Sequence, residues 1–167
     1  MANFFHWLFN PYTEGYSSIA LIRLFAGLTF IGEGILKFIF PSMGVMRFTL
    51  LGFPLPELTA YSIGVLEIVG GFCLLLGLFN NLFALLFAGE MVVAFLTTKI
   101  TMFLGTSPLP LPPVPPQSGF WAVVHESRDD YTLFFAMIFL MIVGPGKLAL
   151  DSFFFNQRIS RDSSINR

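Results

Sequence analysis

Charge is what this sequence has least of. Only 11% of its 167 residues are Asp, Glu, Lys or Arg, where an ordinary soluble domain carries about 25%. With 55% hydrophobic residues and 22 phenylalanines, it cannot cover a surface that faces water. Its solvent is lipid. A single cysteine, Cys73, excludes an intramolecular disulfide and any dithiol redox motif. Sitting inside an apolar run, it reads as a packing residue. The net charge of −1 leaves no basic patch for nucleic acid. His125 and Glu126 lack the closed ligand spacing of a metal site, and no heme, flavin or iron–sulfur motif is visible. The first residues carry neither a basic n-region nor a small-residue cleavage site, so they do not read as a signal peptide.

What is abundant is apolar length. Four runs, about 18–40, 61–79, 82–104 and 131–147, approach the roughly 20 residues that cross a hydrocarbon core as a helix. The expected fold is an all-α membrane protein: one domain over 1–167, a four-transmembrane-helix antiparallel bundle with interfacial segments. Pro11 breaks an aromatic N-terminal segment, and 42–60 is too short and interrupted to span. Asn80 and Asn81 read as a tight polar turn between the second and third crossings. The proline-rich stretch 105–119 favours extended structure. Gly144-Pro145-Gly146 ends the fourth helix, because glycine accepts left-handed geometry and proline cannot continue a helix. Leu148 to Phe155 reads as an interfacial aromatic helix, followed by Arg158, Arg161 and Arg167. Five basic residues then lie on the side of the termini against four opposite, which favours cytoplasmic termini.

The few charges fall inside the runs. A carboxylate at the centre of a membrane helix costs about 2.5–3.5 kcal/mol on insertion scales, so each should face other helices. Heptad seams place them there. In the first run the seam is Arg23, Gly27, Phe30, Gly34 and Lys37, with Glu33 adjacent. In the second it is Gly64, Glu67, Gly71, Leu74 and Leu78, and Gly70–Gly71 lets a neighbouring helix come close. Glu90 lies on the seam of the third. Arg23, Glu33, Lys37, Glu67, Glu90, Lys99 and Asp130 together make the candidate intramembrane polar cluster. Arg23 and Lys99 are expected to snorkel from helix ends. Lys37 can pair with Glu33 at i,i+4, and across helices with Glu67. Acids outnumber bases, so one acid is expected to be neutral, and Glu90 has no base on its own face. Gly77 lies off the seam and is expected to tolerate a side chain. The charges serve either as a proton relay or as devices that fix bundle register.

One ordered set of residues resembles the DoxX family of four-helix bacterial membrane proteins. It runs from Arg23-Leu24 with Gly27, Phe30, Gly34 and Lys37, through Gly52-Phe53-Pro54, to Glu67-Ile68-Val69-Gly70-Gly71 with Leu76-Gly77-Leu78. It closes with Gly144-Pro145-Gly146-Lys147 and Leu150-Asp151. Glu33 stands where the family often has a histidine, and Asp130 where a glutamate commonly precedes the fourth helix. The resemblance implies a multi-pass protein of the bacterial inner membrane, associated with redox chemistry and related to subunits of thiosulfate:quinone oxidoreductase. It implies no covalent cofactor, a bound quinone, and association with lipid, a redox partner protein or a second copy. It carries over no catalytic residue set and leaves open whether the chain is itself an enzyme. The alternatives are a small-solute or proton-coupled transporter and a non-catalytic assembly partner.

Overall fold

A computed structural model describes residues 2–9 and 15–152. Pro11, the helix expected to continue to Phe155, and Arg158, Arg161 and Arg167 lie wholly or partly outside the described residues. Among the described residues all regular structure is helical: α1 (Ala2–Phe9), α2 (Ile19–Ile39), α3 (Val45–Leu50), α4 (Pro56–Leu76), α5 (Asn80–Ala94), a π-helical turn (Phe95–Lys99), α6 (Ile100–Phe103), α7 (Phe120–Glu126) and α8 (Arg128–Val143). The π turn joins α5 to α6 without a break. Ile19–Ile39, Pro56–Leu76 and Asn80–Phe103 are each long and apolar enough to cross a membrane. Helix α8 has 16 residues, about 24 Å at 1.5 Å per residue.

Local chemistry sets these boundaries. Phe40, before Pro41, is extended and cannot continue α2. Pro56 opens α4 at a position where its missing N–H costs nothing. Helix α4 stops at Gly77, whose φ of 67° is left-handed. Gly77 N–H donates to the Leu74 carbonyl (3.1 Å) and Leu78 N–H to that of Cys73 (2.8 Å), a Schellman closure. The turn is therefore Gly77–Phe79. Asn80 and Asn81, read from sequence as the turn, begin α5 instead, and both are buried.

Helix α2 packs along α4, and α5 along α8. The first contact is backbone to backbone. A Cβ built on Gly27 would meet the Gly71 carbonyl oxygen at 2.8 Å, and one on Gly71 would meet that of Gly27 at 2.8 Å. Gly34 stands in the same relation to Gly64, at 2.7 Å. Small residues seven apart on both helices thus form a groove in which the chains touch directly. Gly70 serves the other neighbour: a Cβ there would lie 2.6 Å from the rings of Phe83 and Phe87. Phe87 stacks on Phe30 with ring centroids 3.7 Å apart, and Ala26, Leu74, Ala84, Met137 and Leu140 complete the core. Outward residues such as Leu21, Leu28, Val65 and Phe72 are about half exposed or more, as suits a surface wetted by lipid.

Candidate functional site

The polar residues named from sequence separate into three groups. The deepest lies between α2, α4 and α5. Lys37 Nζ is 2.7 Å from both Glu67 Oε1 and Glu67 Oε2. Glu67 is 2% exposed. Its stem fits because Gly34 has no side chain: a Cβ there would sit 3.0 Å from Glu67 Cβ. Glu90 reaches the same place from α5, within hydrogen-bonding range of the Glu67 carboxyl. Glu90 Oε2 is buried without a hydrogen-bond partner among the described residues. Glu33 lies close enough to act on both carboxyls through its charge. Lys37 thus pairs across helices and not with Glu33 on its own helix. One ammonium stands against the Glu67 carboxyl, with Glu90 beside it and Glu33 nearby.

A second group sits where α8 begins. Lys99 Nζ is 3.2 Å from Asp130 Oδ2 and donates to the Glu126 carbonyl at 2.7 Å. Its side chain is 11% exposed, so it is tied down where snorkelling was expected. The π turn explains the difference. In an uninterrupted α-helix Lys99 would lie about 180° around from Glu90. One extra residue in a π bulge turns the chain beyond it back by about 100°, which aims Lys99 at α8. Thr97 and Thr98 favour the wider turn by donating back to the Val93 and Ala94 carbonyls at 2.8 and 2.6 Å. Beside this pair, α5 and α8 enclose a cleft of about 200 Å³, lined by Met91, Phe95, Leu96, Asp130, Tyr131 and Phe134.

Arg23 belongs to neither group. It lies fourteen residues before Lys37 on one helix, a rise of about 21 Å. It is 1% exposed, which corrects the expectation that it snorkels. Nη2 donates to the Leu148 carbonyl, while Nε and Nη1 have no hydrogen-bond partner among the described residues. Its countercharge is Asp151. The Asp151 carboxylate accepts from the backbone N–H of Phe79 (3.2 Å) and Asn80 (3.3 Å), at the positive dipole end of α5. Burial pushes the Asp151 carboxyl up from its ordinary value, opposed by those two amides and by Arg23. Gly77 also belongs here. A Cβ on it would run into Arg23 Nη1, so the expected tolerance of that position is overturned. Sequence reading missed Asn80 and Asn81: Asn80 Nδ2 donates to the Leu140 carbonyl (3.1 Å), and Asn81 Nδ2 to that of Trp7 (3.0 Å). The signal was available as two adjacent amides between two long apolar runs. Gly144, Pro145 and Gly146 are buried after α8, with Gly146 against the Tyr16 carbonyl.

A family model described as DoxX matches residues 18–100. That interval contains the Lys37–Glu67–Glu90 group but not Asp130 or Asp151. The chain is 37% identical over 146 residues to "Uncharacterized membrane protein Rv3486" of Mycobacterium tuberculosis, covering 84% of this chain and 83% of that one. It is 29% identical over 136 residues to "Putative oxidoreductase CatD" of Bacillus subtilis, covering 81% and 85%. No solved structure matches it.

Proposed function

This chain belongs to the DoxX family of membrane proteins, and from that we propose that it is a multi-pass subunit of an inner-membrane redox assembly that exchanges electrons with a lipid-soluble quinone. The observation that carries the reading is the Lys37–Glu67–Glu90 group. Charge is expensive inside a membrane, and ionisable residues kept there mark proton or substrate paths. Here Glu67 and Glu90 share one ammonium with Glu33 nearby, and a proton is the countercharge that can enter such a site. Converting a quinone to its quinol takes up two electrons and two protons. Electrons come from a partner protein with its own redox group. The buried acids hand on the protons. The oxidoreductase name of the Bacillus relative supports the same class.

In this reading α8 is a fourth crossing, and the four helices form an antiparallel bundle. The matching of Gly27 with Gly71 and of Gly34 with Gly64 supports opposite senses for α2 and α4. The termini lie in the cytoplasm and the proline-rich loop outside. One observation favours a second reading, proton-coupled transport: the π turn interrupts a long apolar helix beside an ion pair. Solvent extraction of the purified protein with mass analysis separates the two. Quinone recovered in near-stoichiometric amount, together with quinone-dependent redox turnover on addition of the partner, supports the first reading. Solute flux into liposomes without bound quinone supports the second and sinks the first.

A further inference from the structure

We propose that the cleft between α5 and α8 is a binding site for the ring of a lipid-soluble hydroquinone, with Asp130 accepting a hydrogen bond from a ring hydroxyl. The assignment rests on the redox reading above and adds to it the place of binding and the bound form. The cleft has about 200 Å³, less than the roughly 300–1,000 Å³ of pockets that bury a whole drug-sized ligand. It suits one or two fused rings whose tail remains in lipid. Its rim residues Phe95, Leu96 and Tyr131 are exposed, so the mouth opens on the apolar outer surface of the helices. Phe95 and Phe134 offer ring faces for stacking, and Met91 adds a polarizable thioether.

The selective element is Asp130, the one carboxylate among the described residues that line the cleft. Its Oδ2 is buried and lies 3.2 Å from the Lys99 ammonium, which balances its charge and also donates to the Glu126 carbonyl, 2.7 Å distant. A carboxylate has about four acceptor sites, and one ammonium leaves some of them open to a further donor. A ligand with a flat apolar body and a hydroxyl at one end would occupy one of them. A plain acyl chain would offer no donor, and an anionic lipid headgroup would meet the carboxylate. The π turn forms part of the wall at Phe95 and Leu96 and also aims Lys99 at Asp130, so the same backbone irregularity sets both features of the site.

The test is a tryptophan reporter in the full-length protein in nanodiscs. Phe95→Trp places it in the cleft. Val65→Trp places it on an exposed position of α4, about 14 Å from the start of that helix and so at a similar depth. Each is titrated with a short-tailed naphthohydroquinone kept reduced, and with its O,O-dimethyl ether, which has no hydrogen to donate. Signal from Trp7 and Trp121 is subtracted using the unsubstituted protein. The expected result is a saturable response at position 95 only, with the hydroquinone bound about tenfold more tightly than the ether. Asp130→Asn should narrow that ratio. Leu96→Phe, which fills the cleft and leaves Asp130 in place, should abolish the response. If position 95 responds no more than position 65 while quinone still co-purifies, the cleft assignment is wrong and the redox reading stands. If no quinone co-purifies and neither position responds, both fall. Equal binding of hydroquinone and ether would overturn the role given to Asp130.

Discussion

Both carboxylate oxygens of Glu67 lie 2.7 Å from the Lys37 ammonium, and the Glu67 side chain is 2% exposed. Removing one partner of a buried pair strands the other charge, at about 3–5 kcal/mol. Glu67→Gln is therefore expected to lower folded yield sharply. Glu90→Gln should do less harm, because an amide can occupy the place of a carboxyl that has no ammonium of its own. Unfolding of both variants in mixed micelles checks the order, and a more damaging Glu90→Gln would reverse the roles assigned to the two acids.

The glycine groove makes a graded prediction. Gly71→Leu would drive a side chain into the Gly27 carbonyl and should cost on the order of 1–3 kcal/mol by overpacking. Gly89, with none of the described residues within 4 Å of a built Cβ, is the control. Gly89→Ala should be neutral or stabilising by up to about 1 kcal/mol, the helix-propensity difference. Melting of both variants in detergent tests this, and equal losses would contradict close approach at Gly71.

Gly77→Ala should destabilise despite its small size. Its φ of 67° disfavours any Cβ, and that Cβ would collide with Arg23. A loss above about 1 kcal/mol is expected. Arg23→Met in the same chain should recover part of it by removing the clash. No recovery would place the whole cost in the backbone angle.

Asp151→Ala removes the acceptor for two amides of the α5 start and the countercharge of Arg23. The cap alone is worth about 0.5–2 kcal/mol, and stranding Arg23 adds to it. The double change Arg23→Met with Asp151→Ala should therefore cost less than the sum of the single changes, with a coupling of about 0.5–3 kcal/mol. Additive losses would show that Arg23 and Asp151 act independently.

Topology is open to labelling in a Cys73→Ala background. A membrane-impermeant thiol reagent applied to intact cells should reach Pro112→Cys, in the proline-rich loop. It should reach Lys147→Cys, exposed just beyond α8, only after permeabilisation. Access to both from outside would mean that α8 does not cross.

By itself the sequence determined the solvent, the class and the seams. Too few charges and too many phenylalanines leave only lipid as surroundings, whatever the packing. Seven-residue spacing put Gly27, Gly34, Gly64 and Gly71 on facing stripes, because helical period is a local property of the chain. The same spacing brought Lys37 and Glu67 together, and the structure joins them. Tertiary structure alone decided the rest. Arg23 reads as a helix-end residue until Leu148 and Asp151, more than a hundred residues later, fold over it. Asn80 and Asn81 read as a turn until the Schellman closure at Gly77 moves the turn upstream and carries both amides into the interior. Lys99 reads as half a turn away from Glu90 until one π turn rotates it onto Asp130. In each case the deciding partner is distant along the chain, or the deciding feature is a departure from regular helix. A buried polar group takes whichever partner the packing delivers, and that partner is not written in the residues beside it.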